Sequence, residues 1–356
     1  MKYTEQYWCD LEKVQKVVPN LEVLYKKRIL ITGASGMIGS AIVDFLLQLN
    51  RIKKYEVEIF VAGRNKTRVK ERFGSFFQDT YFHFLQYDAT EKIEFTEEFD
   101  YIIHAASNAN PLVYAKFPVE TMISNFDGML HLLEYAQKHD VSRVLYVSSS
   151  EVYGNKKSLG AYKETDYGYV DLLNPRACYP LAKRATETLC SAYRNEYGID
   201  FVIVRPGHIY GPTMTENDTR ASSQFARDII EEKDIVMKSS GLQQRSYCYV
   251  LDCVSAILTV LIQGKAGEAY NISNPNSVCT IREIAEAFAE VGKRKVIFEN
   301  ATEAEKKRYN LMENSVLDAK KILDLGWKGI FTIEEGVART IDGLKRTMGS
   351  NPVKKK

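Results

Sequence analysis

The sequence lacks the features that mark several protein classes. Its six cysteines are scattered along 356 residues, without a Cys-x-x-Cys pair or a cysteine–histidine spacing that would indicate a metal site. We therefore expect no metal, and free thiols suit a reducing, cytoplasmic setting. No apolar run approaches the ~18 residues that would span a membrane, and no secretory signal pattern is present. The formal net charge of +2 gives no reason to expect nucleic-acid binding.

Apolar segments of strand length alternate with helical segments up to residue 205. This alternation, with strands that are apolar on both faces, is typical of a parallel sheet covered by helices on both sides. We therefore expect an α/β fold with a doubly wound parallel sheet of the Rossmann type. The strands are predicted at 28–32, 57–62, 82–87, 101–104, 144–147 and 201–204, and the main helices at 40–49, 119–139 and 180–197.

Three regions are predicted along the chain. The first is a short helical extension, because apolar residues recur at helical spacing from Leu11 to Val18 and Pro19 closes the stretch. The alternating strand and helix pattern follows it, and the pattern loosens beyond Pro206. The predicted division is 1–26 for the extension, 27–205 for a dinucleotide-binding Rossmann domain, and 206–350 mainly for a smaller α+β substrate-binding subdomain, with some segments returning to the main domain.

The segment Gly33-Ala34-Ser35-Gly36-Met37-Ile38-Gly39 joins the first predicted strand directly to a helix. Glycines at this spacing permit a tight turn and a close approach of the backbone to a pyrophosphate, which then faces the N-terminus of the helix. The strand–loop–helix context makes the motif a strong indication of NAD(P) binding. The predicted contacts are Gly33, Ser35, Gly36, Met37, Ile38 and Gly39.

The end of the second predicted strand bears on the choice between NAD and NADP. An acidic residue there would bind the ribose of NAD, but the chain has Gly63 followed by Arg64. Because an arginine can pair with the 2′-phosphate of NADP, this sequence favours NADP without excluding NAD. The alternative is that Arg64 is a solvated surface charge.

A tyrosine and a lysine lie four residues apart in Tyr179-Pro180-Leu181-Ala182-Lys183, at the start of a predicted helix. This spacing places both on one face of the helix, where the ammonium is expected to lower the pKa of the phenol toward that of a useful base. The preceding strand leads into Ser148-Ser149-Ser150-Glu151, and a hydroxyl from this run can share the proton of a substrate alcohol. The group indicates hydride transfer at an alcohol carbon.

These motifs resemble those of the extended short-chain dehydrogenases/reductases, and specifically the NAD-dependent epimerase/dehydratase family of nucleotide-sugar enzymes. Within that family the chain, after Lys27, most resembles the UDP-glucuronate decarboxylases. It departs from them at His208, where they have asparagine. The resemblance is carried by Ser148-Ser149-Ser150-Glu151-Val152-Tyr153-Gly154, Pro175-Arg176-Ala177-Cys178-Tyr179, Arg205-Pro206-Gly207-His208-Ile209-Tyr210-Gly211-Pro212 and Gln244-Arg245-Ser246-Tyr247-Cys248-Tyr249-Val250.

The resemblance implies further contacts and an assembly. A homodimer is implied, because the family pairs the helices predicted here at 119–139 and 180–197. A nucleotide-diphosphate sugar is the implied substrate, although structural roles for Tyr114, His208 and Arg308 are equally consistent with the sequence. Cofactor contacts are implied for Asp88, Ala89, Ala105, Ala106, Ser107, Asn125 and Lys183, and substrate contacts for Tyr114, His208, Arg245 and Arg308.

The resemblance also implies the chemistry. Tyr179 would take a proton from the C4 hydroxyl of the sugar, Ser149 would hydrogen-bond the reacting oxygen, and Lys183 would hold the charge. The resulting ketone activates C5, where Glu151 is the implied acid/base. Decarboxylation of a UDP-hexuronate is the leading prediction, since Ser150 replaces the aspartate with which dTDP-glucose dehydratases expel water. The alternatives are a 4,6-dehydratase, a 4-epimerase, an NADPH-dependent keto-sugar reductase, and a cofactor-binding sensor without turnover.

Overall fold

The computed structural model describes residues 4–107, 109–156, 160–302, 312 and 314–349. Within these residues seven strands form the main sheet, and smaller sheets of three and two strands lie in the second half of the chain. The strands are β1 Arg28–Thr32, β2 Glu58–Gly63, β3 Phe82–Gln86, β4 Tyr101–His104, β5 Arg143–Val147, β6 Phe201–Pro206, β7 His208–Tyr210, β8 Ile235–Met237, β9 Gln244–Tyr249, β10 Glu268–Ile272, β11 Val278–Thr280 and β12 Val296–Phe298.

Helices connect most successive strands of the main sheet, as is usual for parallel pairing, whereas residues 87–100 join β3 to β4 without a helix. None of the helices in the described residues is both long and apolar enough to cross a membrane. The helices are α1 Glu5–Gln15, α2 Met37–Lys53, α3 Lys66–Phe73, α4 Pro111–Lys116, α5 Pro118–Lys138, α6 Cys178–Tyr197, α7 Ala221–Ile230, α8 Val250–Gln263, α9 Ile281–Gly292, α10 Lys320–Leu323 and α11 Ile333–Gly349.

The main sheet has the strand order β10-β6-β5-β4-β1-β2-β3, and all neighbouring strands are parallel. Ile29 and Ile31 of β1 belong to one apolar core, whereas Leu30 belongs to a second, so both faces of the sheet are covered. The predicted doubly wound α/β fold is therefore confirmed. The strand order reverses between β1 and β4, and sheets of this kind bind ligands in the crevice outside the carboxyl ends of those strands.

One strand of the main sheet comes from beyond residue 205. Strand β10 pairs with β6, and the preceding helix α8 packs against α2. Helix α8 was not predicted; it is mostly apolar and residues 250–261 are buried on all sides, so it lacks the exposed polar face that identifies a surface helix. The region 206–350 therefore returns to the main sheet at 250–272, and the smaller sheets form from the segments around it.

The predicted N-terminal helix is confirmed, and it contacts both halves of the chain. The side chain of Thr4 caps the helix by accepting a hydrogen bond from the backbone N–H of Tyr7 at 3.0 Å. The Tyr7 hydroxyl donates to Asp44 of α2 at 2.8 Å, and Arg339 of α11 donates to Asp10 at 2.7 Å. Both aspartates are fully buried, so α1 is an integral part of the packed structure.

The segment between β7 and α7 crosses to the crevice of the main sheet. The Thr213 hydroxyl donates to the carbonyl oxygen of Met37, in the first turn of α2, at 2.9 Å. Asn110, the N-cap of α4, donates to the carbonyl oxygen of Asn217 and accepts from Thr219, both at 2.7 Å. These contacts hold residues 213–219 against both sides of the crevice, where they form one of its walls.

Candidate active site

The glycine loop turns sharply between β1 and α2. Gly33 has a φ of +69°, a left-handed conformation that glycine adopts without strain. A Cβ on Gly33 would lie 2.6 Å from the backbone of Ala105, and one on Gly39 would lie 2.4 Å from the Gly33 carbonyl oxygen. Gly36 caps α2 without a side chain, so the backbone N–H groups of the first turn remain open to an anion. This cradle fits the pyrophosphate of a dinucleotide.

Arg64 and Asp88 face each other beyond the ends of β2 and β3. Arg64 Nη1 lies 3.9 Å from the Asp88 carboxylate, and 74% of the Arg64 side chain is exposed. The backbone N–H of Thr90 donates to Asp88 at 3.0 Å and is the main reason that the pKa of this carboxyl is lowered. Gly63 contributes no carboxylate at the end of β2. The predicted ribose site therefore has an exposed cation beside it and no acid from that strand.

The other predicted cofactor contacts lie after β4 and on α5. The Ser107 hydroxyl donates to the Asn125 side chain at 2.8 Å, and Asn125 is only 1% exposed. The backbone N–H of Ala106 lies 3.4 Å from the hydroxyl of Thr32, which ties the segment after β4 to β1. Ala89 packs toward α5, at Gly128. These residues line the same edge of the sheet as the glycine loop.

Tyr179 and Lys183 lie in the first two turns of α6, and Ser149 faces them from the end of β5. Lys183 is 1% exposed, and its Nζ lies 5.8 Å from the centre of the Tyr179 ring. The same Nζ donates to the carbonyl oxygen of Val147 at 2.9 Å. The Ser149 hydroxyl acts to lower the pKa of the Tyr179 phenol, against the larger effect of burial, and so favours the phenolate. The structure therefore brings together the three side chains predicted for proton transfer.

Burial dominates the pKa values of this group. Desolvation raises the pKa of Tyr179 to about 12, and the negative charge of Glu151 acts in the same direction. Desolvation also lowers the pKa of Lys183 to about 7, although Glu187 raises it. The expectation that the pKa of Tyr179 is lowered toward that of a useful base is therefore wrong for the protein alone, because removal from water disfavours the charged form of both groups.

Glu151 lies in a cluster of aromatic and cationic side chains next to Tyr179. Arg176 Nη1 donates to its carboxylate at 3.2 Å, and the Tyr114 hydroxyl lies 3.5 Å from it. The Arg176 guanidinium also lies over the Tyr114 ring at 4.5 Å. Ser150 is buried beside Glu151. Tyr114 thus contacts both the Glu151 carboxylate and the Arg176 guanidinium.

Arg220, which was not predicted as a site residue, directly follows residues 213–219, the segment that forms one wall of the crevice. Asp218 holds it through hydrogen bonds of 3.0 Å to Nε and 2.5 Å to Nη2, and Nη2 lies 3.5 Å from Met37 Sδ. Its positive charge opposes the burial that raises the pKa of Tyr179, and it adds to burial and Arg245 in lowering the pKa of His208. Its sequence signal was weak, since one arginine in a polar loop resembles any solvated loop charge.

His208 and Arg245 are the predicted substrate residues of the three-stranded sheet. The His208 ring lies 5.5 Å from that of Tyr247, and its Nδ1 is buried without a hydrogen-bond partner in the described part of the chain. Burial, with Arg245 and Arg220, lowers the pKa of His208 to about 3, so the imidazole is neutral. Arg245 is 4% exposed and donates to two backbone carbonyls at 2.9 Å. Arg308 lies outside the described residues.

The arrangement provides two separate proton-transfer groups. Tyr179 and Ser149 can take a proton from an alcohol, and Glu151, held by Arg176 and Tyr114, can move a proton at a neighbouring carbon. Among the described residues, no cluster of three or more histidine, cysteine, aspartate or glutamate side chains is suited to hold a metal ion.

Comparisons with known proteins identify the family of the chain. A sequence model described as "NAD dependent epimerase/dehydratase family" matches residues 29–273. UDP-glucuronic acid decarboxylase 6 of Arabidopsis thaliana is 32% identical over 325 residues, which are 90% of each chain. UDP-glucuronic acid decarboxylase 1 of Xenopus tropicalis is 30% identical over 326 residues, which are 91% of this chain and 73% of the relative.

Solved structures show the same fold at lower sequence identity. UDP-glucuronic acid 4-epimerase of Bacillus cereus, in complex with UDP-glucuronic acid and NAD, has a TM-score of 0.77 at 22% identity. The superposition covers 90% of this chain and 99% of the epimerase. A dTDP-glucose 4,6-dehydratase of Streptomyces venezuelae with NAD bound has a TM-score of 0.75 at 24% identity, covering 91% of this chain and 98% of that chain.

Proposed function

Because this chain belongs to the NAD-dependent epimerase/dehydratase family of nucleotide-sugar enzymes, as its motifs predicted, we propose that it decarboxylates a UDP-hexuronate. The observation that carries the proposal is the position of Glu151, which Arg176 and Tyr114 hold beside Tyr179. This arrangement suits a second proton transfer one carbon away from the oxidised position. Two UDP-glucuronic acid decarboxylases that match about nine-tenths of the chain support the same reaction.

The first step is oxidation at C4 of the sugar. Tyr179 accepts the proton of the C4 hydroxyl, Ser149 hydrogen-bonds the reacting oxygen, and the Lys183 ammonium stabilises the phenolate. When bound, oxidised nicotinamide would supply the hydride acceptor, and its positive charge would favour ionisation of the Tyr179 phenol, whose pKa the protein alone raises. The glycine loop from Gly33 to Gly39 would hold the pyrophosphate of this cofactor.

The second step follows from the ketone at C4. A carboxylate on C5 is then β to a carbonyl group, so the C5–C6 bond breaks, CO2 leaves and the electron pair forms the enolate. Glu151 delivers a proton to C5, and 20% exposure of its side chain allows it to regain that proton from solvent. Return of the hydride to C4 and of the Tyr179 proton to the oxygen completes a cycle without net oxidation.

We propose NADP as the preferred form of the cofactor. A carboxylate at the end of β2 would favour the free ribose hydroxyls of NAD, and Gly63 cannot supply one. The exposed guanidinium of Arg64, which lies next to this position, can pair with a 2′-phosphate.

We also propose that two copies associate through α5 and α6. These helices pack against each other, and α5 exposes Val119, Met122 and Ile123 by 63%, 44% and 45%. Pairing with the same surface of a second copy would bury these side chains in a four-helix contact. Light scattering should give twice the mass of one chain, and replacement of Ile123 by glutamate should give the single chain. A wild-type monomer at micromolar concentration would exclude this assembly.

The decisive experiment incubates the protein separately with UDP-glucuronate, UDP-glucose, CDP-glucose, GDP-mannose and dTDP-glucose, with NAD or NADP, and follows the products by mass spectrometry. Loss of one CO2 from the uronate is expected. Loss of water from a neutral sugar would instead identify a dehydratase, and a change of sugar without a change of mass would identify an epimerase. Tyr179→Phe should abolish turnover, whereas Tyr193→Phe, on the same helix but away from the cluster, should not. No reaction of any uronate would contradict the proposal.

A further inference from the structure

Tyr146 lies beneath the Lys183 side chain, and the steps described above give it no role. Tyr146 is on β5 and is fully buried, and its ring centre lies 4.6 Å from Lys183 Nζ. The face of an aromatic ring attracts a cation within about 6 Å, and the attraction is greatest where water is excluded. Lys183 is itself 1% exposed, so this contact is of the strong, desolvated kind.

We propose that Tyr146 is a positioning residue whose ring face keeps the Lys183 ammonium charged and directed at Tyr179. The inference rests on the role of Lys183 proposed above. The hydrogen bond from Nζ goes to the backbone carbonyl of Val147, which is a neutral acceptor. A neutral acceptor compensates only part of the lost hydration of a buried cation, so the ring of Tyr146 supplies a further share.

The charged and titratable groups around Lys183 support this assignment. Glu187, one turn further along α6, raises the pKa of Lys183, but it is bound by Arg205 of β6 at 2.6 and 3.0 Å, and that positive charge offsets its effect. Tyr146, the other neighbour of Lys183, stacks on His104 of β4, and their ring centres lie 5.8 Å apart. The imidazole is neutral because burial and the Lys183 charge lower its pKa to about 3.

The hydrogen bond of His104 fixes the ring on which Lys183 rests. His104 Nδ1 lies 2.7 Å from the Thr32 hydroxyl at the end of β1. Its ring is nearly parallel to that of Tyr146, with an angle of 15° between the planes. The stack of His104 and Tyr146 therefore forms a neutral, polarisable floor under the ammonium, built from two adjacent strands of the main sheet.

The charge of Lys183 is sensitive to its contact with the Tyr146 ring, because the pKa of Lys183 lies close to neutral pH. Burial already brings the pKa of Lys183 down to about 7, where a small change in stabilisation alters the charged fraction strongly. Loss of a desolvated ring contact would lower that pKa by about one further unit. Lys183 would then be mostly neutral at pH 7, and it would no longer stabilise the Tyr179 phenolate.

The test measures the pKa of Lys183 directly, by NMR titration of protein labelled with 13C at lysine Cε, with the signal identified by its absence in Lys183→Arg. Tyr146→Phe keeps the ring and should leave this pKa within a few tenths of a unit, whereas Tyr146→Leu should lower it by about one unit. The same variant should move the alkaline limb of the pH–rate profile to lower pH. This titration needs no turnover, so a failure of the proposed decarboxylation would not affect its outcome.

A second series separates the ring's electrons from its shape. Replacing Tyr146 with phenylalanine carrying one, two or three fluorine atoms weakens the negative ring face in steps and leaves the packing nearly constant, so it also serves if Tyr146→Leu does not fold. The pKa of Lys183 should fall stepwise with each fluorine. An unchanged pKa across the series, or an equal shift in Tyr146→Phe and Tyr146→Leu, would overturn the proposal.

Discussion

The ring of Tyr114 lies flat against the ring of Tyr179, with centres 5.2 Å apart and planes inclined by 13°. Tyr114 is 1% exposed, so it shields one face of the Tyr179 phenol from water. Because a desolvated phenol ionises reluctantly, this contact contributes to the raised pKa of Tyr179. Tyr114 thus limits the access of water to the Tyr179 phenol, the group that must lose its proton before it can act as a base.

Tyr114→Ala should move the acidic limb of the pH–rate profile to lower pH while reducing the maximal rate. Water would reach Tyr179 and lower its pKa, so the phenolate would form at lower pH, but the substrate would be less well positioned, at a cost of about tenfold or more in rate. Tyr114→Phe keeps the stacked ring and should leave the acidic limb in place. The measurement is turnover against pH for the three proteins, and coincident limbs for Ala and wild type would contradict the shielding role.

Glu151→Gln should uncouple the two steps of the reaction. The amide keeps the shape of the side chain but cannot deliver a proton to C5, so turnover should fall by about 10²–10⁴. Oxidation at C4 needs Tyr179 rather than Glu151, so reduced nicotinamide should accumulate and be visible by its absorbance in a single-turnover experiment. Glu151→Asp should restore part of the activity. If the variant forms product at the wild-type rate, Glu151 is a structural partner of Arg176 and nothing more.

The residues after β2 should set the preference for the cofactor. Arg64→Ala should weaken NADP binding by about tenfold or more and leave NAD binding nearly unchanged, because only NADP carries the phosphate that the guanidinium pairs with. Gly63→Asp should act in the opposite sense and favour NAD, and a Cβ at this position would meet nothing within 4 Å. Dissociation constants from fluorescence titration would measure both effects. Equal losses for the two cofactors in Arg64→Ala would argue against a phosphate contact.

The buried ion pair between Arg205 and Glu187 should contribute strongly to the stability of the fold. Arg205 and Glu187 are joined at 2.6 Å, with side chains 3% and 12% exposed, and Ser148 donates to the same carboxylate. Glu187→Gln should lower the free energy of unfolding by about 3–5 kcal/mol, since it leaves a buried cation without its partner. The matched control is Glu286→Gln, which breaks an exposed pair with Arg282 and should cost about 0.3–0.5 kcal/mol. Urea denaturation measures both, and similar losses would show that burial does not control the pair.

The sequence predicted the parts of the structure that depend on local pattern. The glycine loop, the helix that follows it and the four-residue spacing of Tyr179 and Lys183 each carry a backbone or helical period that can be read directly. The strand pattern likewise predicted six of the seven strands in the main sheet. The seventh, β10, was missed, as was α8, because their pairing depends on a chain that leaves the main domain and returns to it.

The features that could not be predicted from the sequence depend on burial and on contacts between residues that are distant along the chain. The direction of the Tyr179 pKa was mispredicted because the spacing shows the nearby ammonium but not the loss of water around both groups. Arg220 was missed because its approach to the site depends on its pairing with Asp218 and on the position of residues 213–219 against the crevice. The contact of Tyr146 with Lys183 joins a strand to a helix that follows it by more than thirty residues, and no periodic pattern reports it.

The hydrogen bond between Asp10 and Arg339 delays the complete docking of α1 during synthesis of the chain. These residues are 329 positions apart, so Asp10 leaves the ribosome long before its partner is synthesised. During that interval α1 can pack on α2 through Tyr7 and Asp44, but one fully buried carboxylate stays without its arginine. Strands β1 to β6 and the helices between them can therefore assemble during translation, whereas the docking of α1 is completed only when α11 has emerged.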